Sequence, residues 1–126
     1  MATVEVTKDN IETLVDTDGI VVLDFWASWC GPCKAFGPTF EASSETHPDI
    51  VHGKVNTEAE RELAAQLQIR SIPTIMVFRD RVMLFNQAGM LPPPALEELL
   101  TKVKELDMDE IKQQIAEGQA NGQPGA

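Results

Sequence analysis

Apolar residues along this chain fall into short blocks whose spacing alternates between two periods. Val4 and Val6 are separated by a polar neighbour, the period of a half-buried strand. Ile11, Leu14 and Val15 follow at helical spacing, after an Asp9-Asn10-Ile11-Glu12 stretch that reads as a capping box, and Gly19 marks the stop. Residues 20–26, Ile-Val-Val-Leu-Asp-Phe-Trp, are apolar almost throughout, as expected of a central strand covered on both faces. Cys33, Phe36 and Phe40 lie three and four apart, on one face of a second helix. Gly37-Pro38 is expected to kink that helix and His47-Pro48 to end it. Ile50 to Val55 predicts another strand, and Thr57-Glu58-Ala59-Glu60 a second capping box opening a helix that turns Leu63 and Leu67 inward. Ile75–Phe78 and Val82–Phe85 predict two strands joined by a hairpin turn at Arg79-Asp80-Arg81. Pro92-Pro93-Pro94 leads into a last helix with Leu96, Leu99, Leu100, Val103 and Leu106 on its buried stripe.

The predicted order is β-α-β-α-β-α-β-β-α. Strands alternating with helices imply an α/β fold: a central mixed sheet with right-handed crossovers, helices on both faces and an antiparallel pair at the end. No internal repeat is visible. Ile111 and Ile115 can support one or two further helical turns, and Gly118 to Ala126 has the composition of a disordered tail.

Length and charge narrow the function classes. A chain of 126 residues can bury about two-thirds of its unfolded surface, enough for one core without staples. The formal net charge is −10, and residues 107–126 carry four acids and one lysine, so −7 remains on the rest. That balance opposes nucleic-acid binding, which needs a lysine and arginine footprint, and opposes anionic membrane surfaces. No secretory signal is visible at Met1–Lys8, and no segment approaches the roughly 18 apolar residues of a membrane span. A reducing compartment, the cytoplasm, is the expectation.

Cys30 and Cys33 are the only cysteines, and both sit in one C-x-x-C where the apolar strand gives way to a helix. Two thiols so close can form a small disulfide ring at little entropic cost. The unpaired N–H groups and positive dipole end of the following helix favour a thiolate at the first sulfur. The position reads as a redox dithiol. The spacing Cys30-x2-Cys33-x13-His47-x4-His52 also matches a zinc pattern. However, about 13 helical residues separate Cys33 from His47 by ~20 Å, whereas zinc ligands must converge within ~2–2.3 Å of one ion. No metal is expected, and the histidines read as ordinary loop or strand residues.

Trp29-Cys30-Gly31-Pro32-Cys33-Lys34, preceded by Val22-Leu23-Asp24-Phe25-Trp26-Ala27, resembles the active-site segment of the thioredoxins. Lys54-Val55-Asn56, Arg70-Ser71-Ile72-Pro73-Thr74 and Gly89 recur in that family's order and spacing. The resemblance implies a thioredoxin domain over residues 1–106, with 107–126 as a C-terminal extension. It departs at Asp80-Arg81, where a glycine is usual, at Asn56 in place of a common aspartate, and at the triple proline.

The resemblance also implies roles. Cys30 is the expected nucleophile and Cys33 the resolving thiol in reduction of protein disulfides, with no cofactor beyond the Cys30–Cys33 disulfide itself. The expected partners are thioredoxin reductase and disulfide-containing proteins, and the expected state is a monomer. Asp24 reads from the residues alone as either a strand-end carboxylate or a buried one, and the apolar run favours burial. The resemblance makes it the base for Cys33. Lys54, on its own a solvated strand-end lysine, matches the family's partner for that carboxylate. Pro73 is expected to be cis, with Ile72 pairing an extended substrate. Trp29, Gly31, Pro32, Ile72, Pro73 and Gly89 form the expected substrate groove. A second reading, a scaffold or chaperone acting through binding rather than redox turnover, is motivated by the triple proline, the unusual turn and the tail.

Overall fold

Strand β2 (Ile20–Trp26) lies in the middle of a five-stranded sheet, and its pleat sorts the core into two halves. Successive strand residues face opposite sides. Ile20 and Val22 join one apolar cluster, while Val21, Leu23 and Phe25 join the other. The computed structural model describes residues 2–120. Its remaining strands are β1 (Thr3–Glu5), β3 (Ile50–Asn56), β4 (Thr74–Arg79) and β5 (Val82–Ala88). Its helices are α1 (Ile11–Val15), α2 (Gly31–Thr46), α3 (Arg61–Gln66), α4 (Pro93–Glu105) and α5 (Met108–Ala120).

The sheet order is β1-β3-β2-β4-β5, with β1, β3 and β2 parallel and β4 and β5 antiparallel. Helices α2 and α4 cover the face carrying Ile20, Val22, Ile50, Ile75 and Val77. Helix α3 and the apolar side chains of α1 cover the other, where Leu63 and half-buried Leu67 pack as expected. The predicted α/β order is therefore observed, with α5 added.

Several local expectations are corrected. Neither predicted capping box forms. Asn10 Oδ1 instead accepts the Thr7 backbone N–H at 2.7 Å, and the Asn10 amide donates to the Glu5 carbonyl. The second helix start is displaced to Arg61, because Glu58 is bound to Ser28 and Glu60 accepts the Lys8 N–H. At this second start, tertiary partners outcompete the local cap. Helix α2 continues for 16 residues through Pro38 and ends at His47. Leu106 lies outside α4 and is 37% exposed, off the buried stripe. The last carbonyls of that helix meet Arg79 instead, whose Nη1 donates to Val103 at 2.7 Å, Lys104 at 3.1 Å and Leu106 at 3.0 Å. Beyond it, α5 is 13 residues long rather than one or two turns, and it includes Gly118. The rest of the expected disordered tail, residues 121–126, lies outside the described residues.

The β4–β5 hairpin closes through Asp80 and Arg81 with φ of 50° and 73°. Two positive φ values are what a tight two-residue hairpin needs, and side chains other than glycine resist them. Contacts elsewhere hold the turn. Gly19 and Asp80 exchange two hydrogen bonds, at 2.8 and 3.0 Å, and Arg81 reaches Asp16 and Asp18. Both histidines are engaged away from the cysteines. His47 meets Glu97 at 2.8 Å. His52 is buried against Phe40, its Nδ1 donating to the Ile50 carbonyl and its Nε2 accepting the Ser43 hydroxyl at 2.9 Å. Burial lowers the pKa of His52, so its contribution to stability is lost as pH falls below about 6.5.

Gly53 on β3 has no room for a side chain. A Cβ there would sit 2.5 Å from Val6 Cγ2 and 2.8 Å from Leu23 Cδ2, both in the buried cluster. Gly53→Ala is expected to cost about 1–3 kcal/mol in urea unfolding, and Val6→Ala in the same chain should recover part of it. Unchanged stability in Gly53→Ala would show that this packing is looser than described.

Candidate active site

Helix α2 begins directly after the loop that leaves the C-terminal end of β2, and Cys30 is its N-cap. Pro32 suits the first turn, since its missing N–H would have no helical partner there. The Cys33 backbone N–H points at Cys30 Sγ at 3.2 Å, so one orphan donor of the helix is spent on this sulfur. Cys30 and Cys33 are joined as a disulfide across that first turn, with Cα atoms 5.2 Å apart. Exposure does not separate the two, as each residue is 4% exposed. Helix geometry does: only Cys30 occupies the cap position facing the N–H groups.

The loop before Cys30 is clipped from two sides. Thr57 donates its N–H and hydroxyl to the Trp26 carbonyl, at 2.9 and 3.0 Å. Glu58 Oε1 accepts both the N–H and the hydroxyl of Ser28, at 2.7 and 2.6 Å, and those bonds lower its pKa. Sequence reading missed Glu58, whose position had been absorbed into a false capping box.

A second loop closes on the disulfide from β4. The Ile72–Pro73 peptide is cis, as expected, and the Ile72 carbonyl lies 3.6 Å from Cys30 Sγ. Gly89, at φ of 110°, donates its N–H to the Pro73 carbonyl at 2.8 Å, which draws the end of β5 to the same place. A φ in that region is one that side chains rarely adopt. Trp29 is 71% exposed, so it is an open face and not core. Gly31, Pro32 and Gly89 are exposed, Ile72 is half-buried and Pro73 is buried. Of the six residues expected to form the groove, Ile72 touches Cys30 directly and Gly89 is bonded to Pro73, with Trp29, Gly31 and Pro32 exposed beside the cysteines in the chain.

Asp24 lies beneath, on the α2-covered face of β2, and is fully buried. Neither carboxyl oxygen has a hydrogen-bond partner among the described residues. Burial drives its pKa up from 3.8 to about 7, opposed by the charge of Lys54. Parallel pairing sets Lys54 beside Asp24, and β1 sets Glu5 beside Lys54. The Lys54 ammonium nevertheless lies toward Glu41 of α2, 3.9 Å from its Oε1, and 5.0 Å above the Trp26 ring. Lys54 is therefore close enough to bias Asp24 but is not its hydrogen-bonded partner. Nothing in the local sequence signals Glu41. Among the described residues, no group of three or more His, Cys, Asp or Glu could hold a metal ion.

Comparison with known proteins gives a consistent picture. A family model described as Thioredoxin matches residues 2–105. The chain is similar to a putative thioredoxin 2 of Streptomyces coelicolor, with 50% identity over 119 residues covering 94% of this chain and 89% of that one. It is 40% identical over 93 residues to a thioredoxin of Mycoplasmoides gallisepticum, covering 74% and 93% respectively. A solved structure of Plasmodium falciparum thioredoxin superposes with a TM-score of 0.71 at 30% identity, covering 78% of this chain and 96% of that one.

The elevated Asp24 pKa has a stability consequence with a definite sign. Between the unfolded value of 3.8 and the folded value of about 7, the folded state holds the extra proton, so stability falls as pH rises through this window. At about 1.4 kcal/mol per pH unit, the loss is on the order of 4 kcal/mol by pH 8. Asp24→Asn is therefore expected to stabilise the oxidised protein strongly at pH 8.5 and little at pH 5. Comparison at matched pH in urea unfolding cancels the His52 contribution. An equal gain at both pH values would mean that Asp24 does not titrate in this range.

Proposed function

The chain belongs to the thioredoxin family and is a thiol–disulfide oxidoreductase that reduces protein disulfides, and on that premise we propose that Cys30 attacks and Cys33 resolves. The observation that carries this assignment is the Cys33 N–H directed at Cys30 Sγ at the start of α2, which favours negative charge on that sulfur.

In this reading the Cys30 thiolate displaces one sulfur of a substrate disulfide, forming a mixed disulfide, and the displaced thiolate takes a proton from solvent. Cys33 then gives its proton to the Asp24 carboxylate and attacks Cys30 Sγ. The second substrate sulfur leaves, and the Cys30–Cys33 disulfide forms. Two electrons have passed to the substrate. A carboxyl with a pKa of about 7 is matched to this task, being free to accept a proton and to release it near neutrality. Lys54 biases that equilibrium. Gly31 and Pro32 place no cation between the cysteines, which keeps the pair reducing.

Trp29, Ile72, Pro73 and Gly89 bind the polypeptide around the disulfide, with the half-buried Ile72 offering backbone to an extended segment. Thioredoxin reductase returns the two electrons, and no metal or organic cofactor takes part. Residues 1–106 form the redox unit, acting as a monomer in the reducing cytoplasm, and residues 107–126 are an extension to it. No helix among the described residues is long and apolar enough to cross a membrane.

Reduced protein should cleave insulin disulfides, and Cys30→Ser should abolish that activity. Cys33→Ser should accumulate substrates covalently bound through Cys30, resolved on non-reducing gels and released by dithiothreitol. Equal trapping by Cys30→Ser and Cys33→Ser would reverse or remove the assigned roles.

A further inference from the structure

Three polar groups around Lys54 are buried without partners: the Asp24 carboxyl, the Glu41 Oε2 atom and the Trp26 indole N–H. Lys54 is the cation they share: its ammonium lies 3.9 Å from Glu41 Oε1 and 5.0 Å from the Trp26 ring, and Asp24 is its neighbour in register. Asp24, Trp26 and Lys54 alternate onto the sheet face that α2 covers, and Glu41 descends on them from α2. Glu41 is itself fixed by the Thr3 hydroxyl, which donates to its Oε1 at 3.0 Å from β1. The Lys54 ammonium lies by that same oxygen, while Asp24, its immediate neighbour in register, makes no ion pair with it. A cleft lined by Thr3, Val4, Glu5, Trp26, Lys54 and Asn56 opens at this point, so the lysine retains room to move.

We propose that Glu41 is a positioning residue for the redox reaction: it competes with Asp24 for Lys54 and holds the ammonium back from the buried carboxyl. This rests on the reading of Asp24 as the proton acceptor. One lysine serves two carboxylates, and whichever it approaches is stabilised in its ionised form. With Glu41 and Thr3 in place, Lys54 stays near the cleft and Asp24 remains easy to protonate. Loss of the Glu41 charge frees the ammonium to settle on Asp24. The charged groups facing Asp24 and Lys54 are few. Strand β1 contributes Glu5, α2 contributes Glu41, and β4 places Ile75 opposite Asp24.

The test is direct titration of the Asp24 side-chain carbon by NMR in oxidised protein, alongside the pH profile of insulin reduction. Glu41→Gln preserves shape and is expected to lower the Asp24 pKa by about one pH unit, with the pH profile moving the same way. In a Lys54→Gln background the same substitution should produce little change. Thr3→Val, which removes only the hydrogen bond, should shift Asp24 in the same direction by less. An unchanged Asp24 pKa in Glu41→Gln would overturn the inference. A fall of equal size in the Lys54→Gln background would overturn the route through Lys54. A shifted Asp24 titration with an unmoved rate profile would remove Asp24 as the base, and with it the part of Glu41 in the redox reaction, leaving only its competition for Lys54.

Discussion

Strand β2 is hydrogen-bonded along both edges and covered on both faces, and that double burial is the constraint on which the rest depends. A strand so enclosed has no wet side, so an apolar run is the natural sequence for it. It also delivers the chain at a fixed point to the loop before α2, which brings Cys30 to the helix cap. A carboxyl placed in this run has no water to solvate it. The acid and the dithiol are thus two products of one strand, one desolvated within it and the other presented just beyond its end.

Around that axis the site is assembled from pieces distant in sequence. The cis Ile72–Pro73 peptide and the Thr57–Glu58 turn meet the dithiol loop through hydrogen bonds or close polar contacts, and Gly89 is tied in turn to Pro73. Backbone partners set position without regard to neighbouring side chains, which leaves Trp29 and Pro32 open at the rim. Backbone groups and the side chains of Thr57 and Glu58 hold the loops in place, while Trp29 and Pro32 stay exposed.

Burial of an ionisable group works against stability above its raised pKa, and in the proposed mechanism toward function at the same position. Asp24 has neither a hydrogen bond nor a close counter-ion, and that is why its proton affinity sits near neutrality. A fully paired carboxylate at this place would make a more stable protein and a poorer proton acceptor. Lys54 is near enough to moderate the cost but makes no ion pair with Asp24 that would cancel it, lying instead 3.9 Å from Glu41 Oε1. The same logic explains why Arg79 and Asp80 can fix the far end of the sheet with many hydrogen bonds.

The sequence by itself determined the α/β element order, both sheet faces, the dithiol and the buried setting of Asp24. Each is written in local periodicity or in residue types adjacent along the chain: the Val-Leu-Asp-Phe run, the Cys30–Cys33 spacing, the stripe of Leu96, Leu100 and Val103. Only the tertiary structure decided where polar side chains find their partners. Glu58 and Glu60 carry the residue types of a local cap, yet each is claimed by a group brought close by folding. Lys54 and Glu41 are 13 residues apart and meet only because β3 packs under α2. Helix and strand formation depend on spacing that one segment contains. The direction of a charged side chain depends on every charge within a few ångströms, and the chain reveals that neighbourhood only once it is folded.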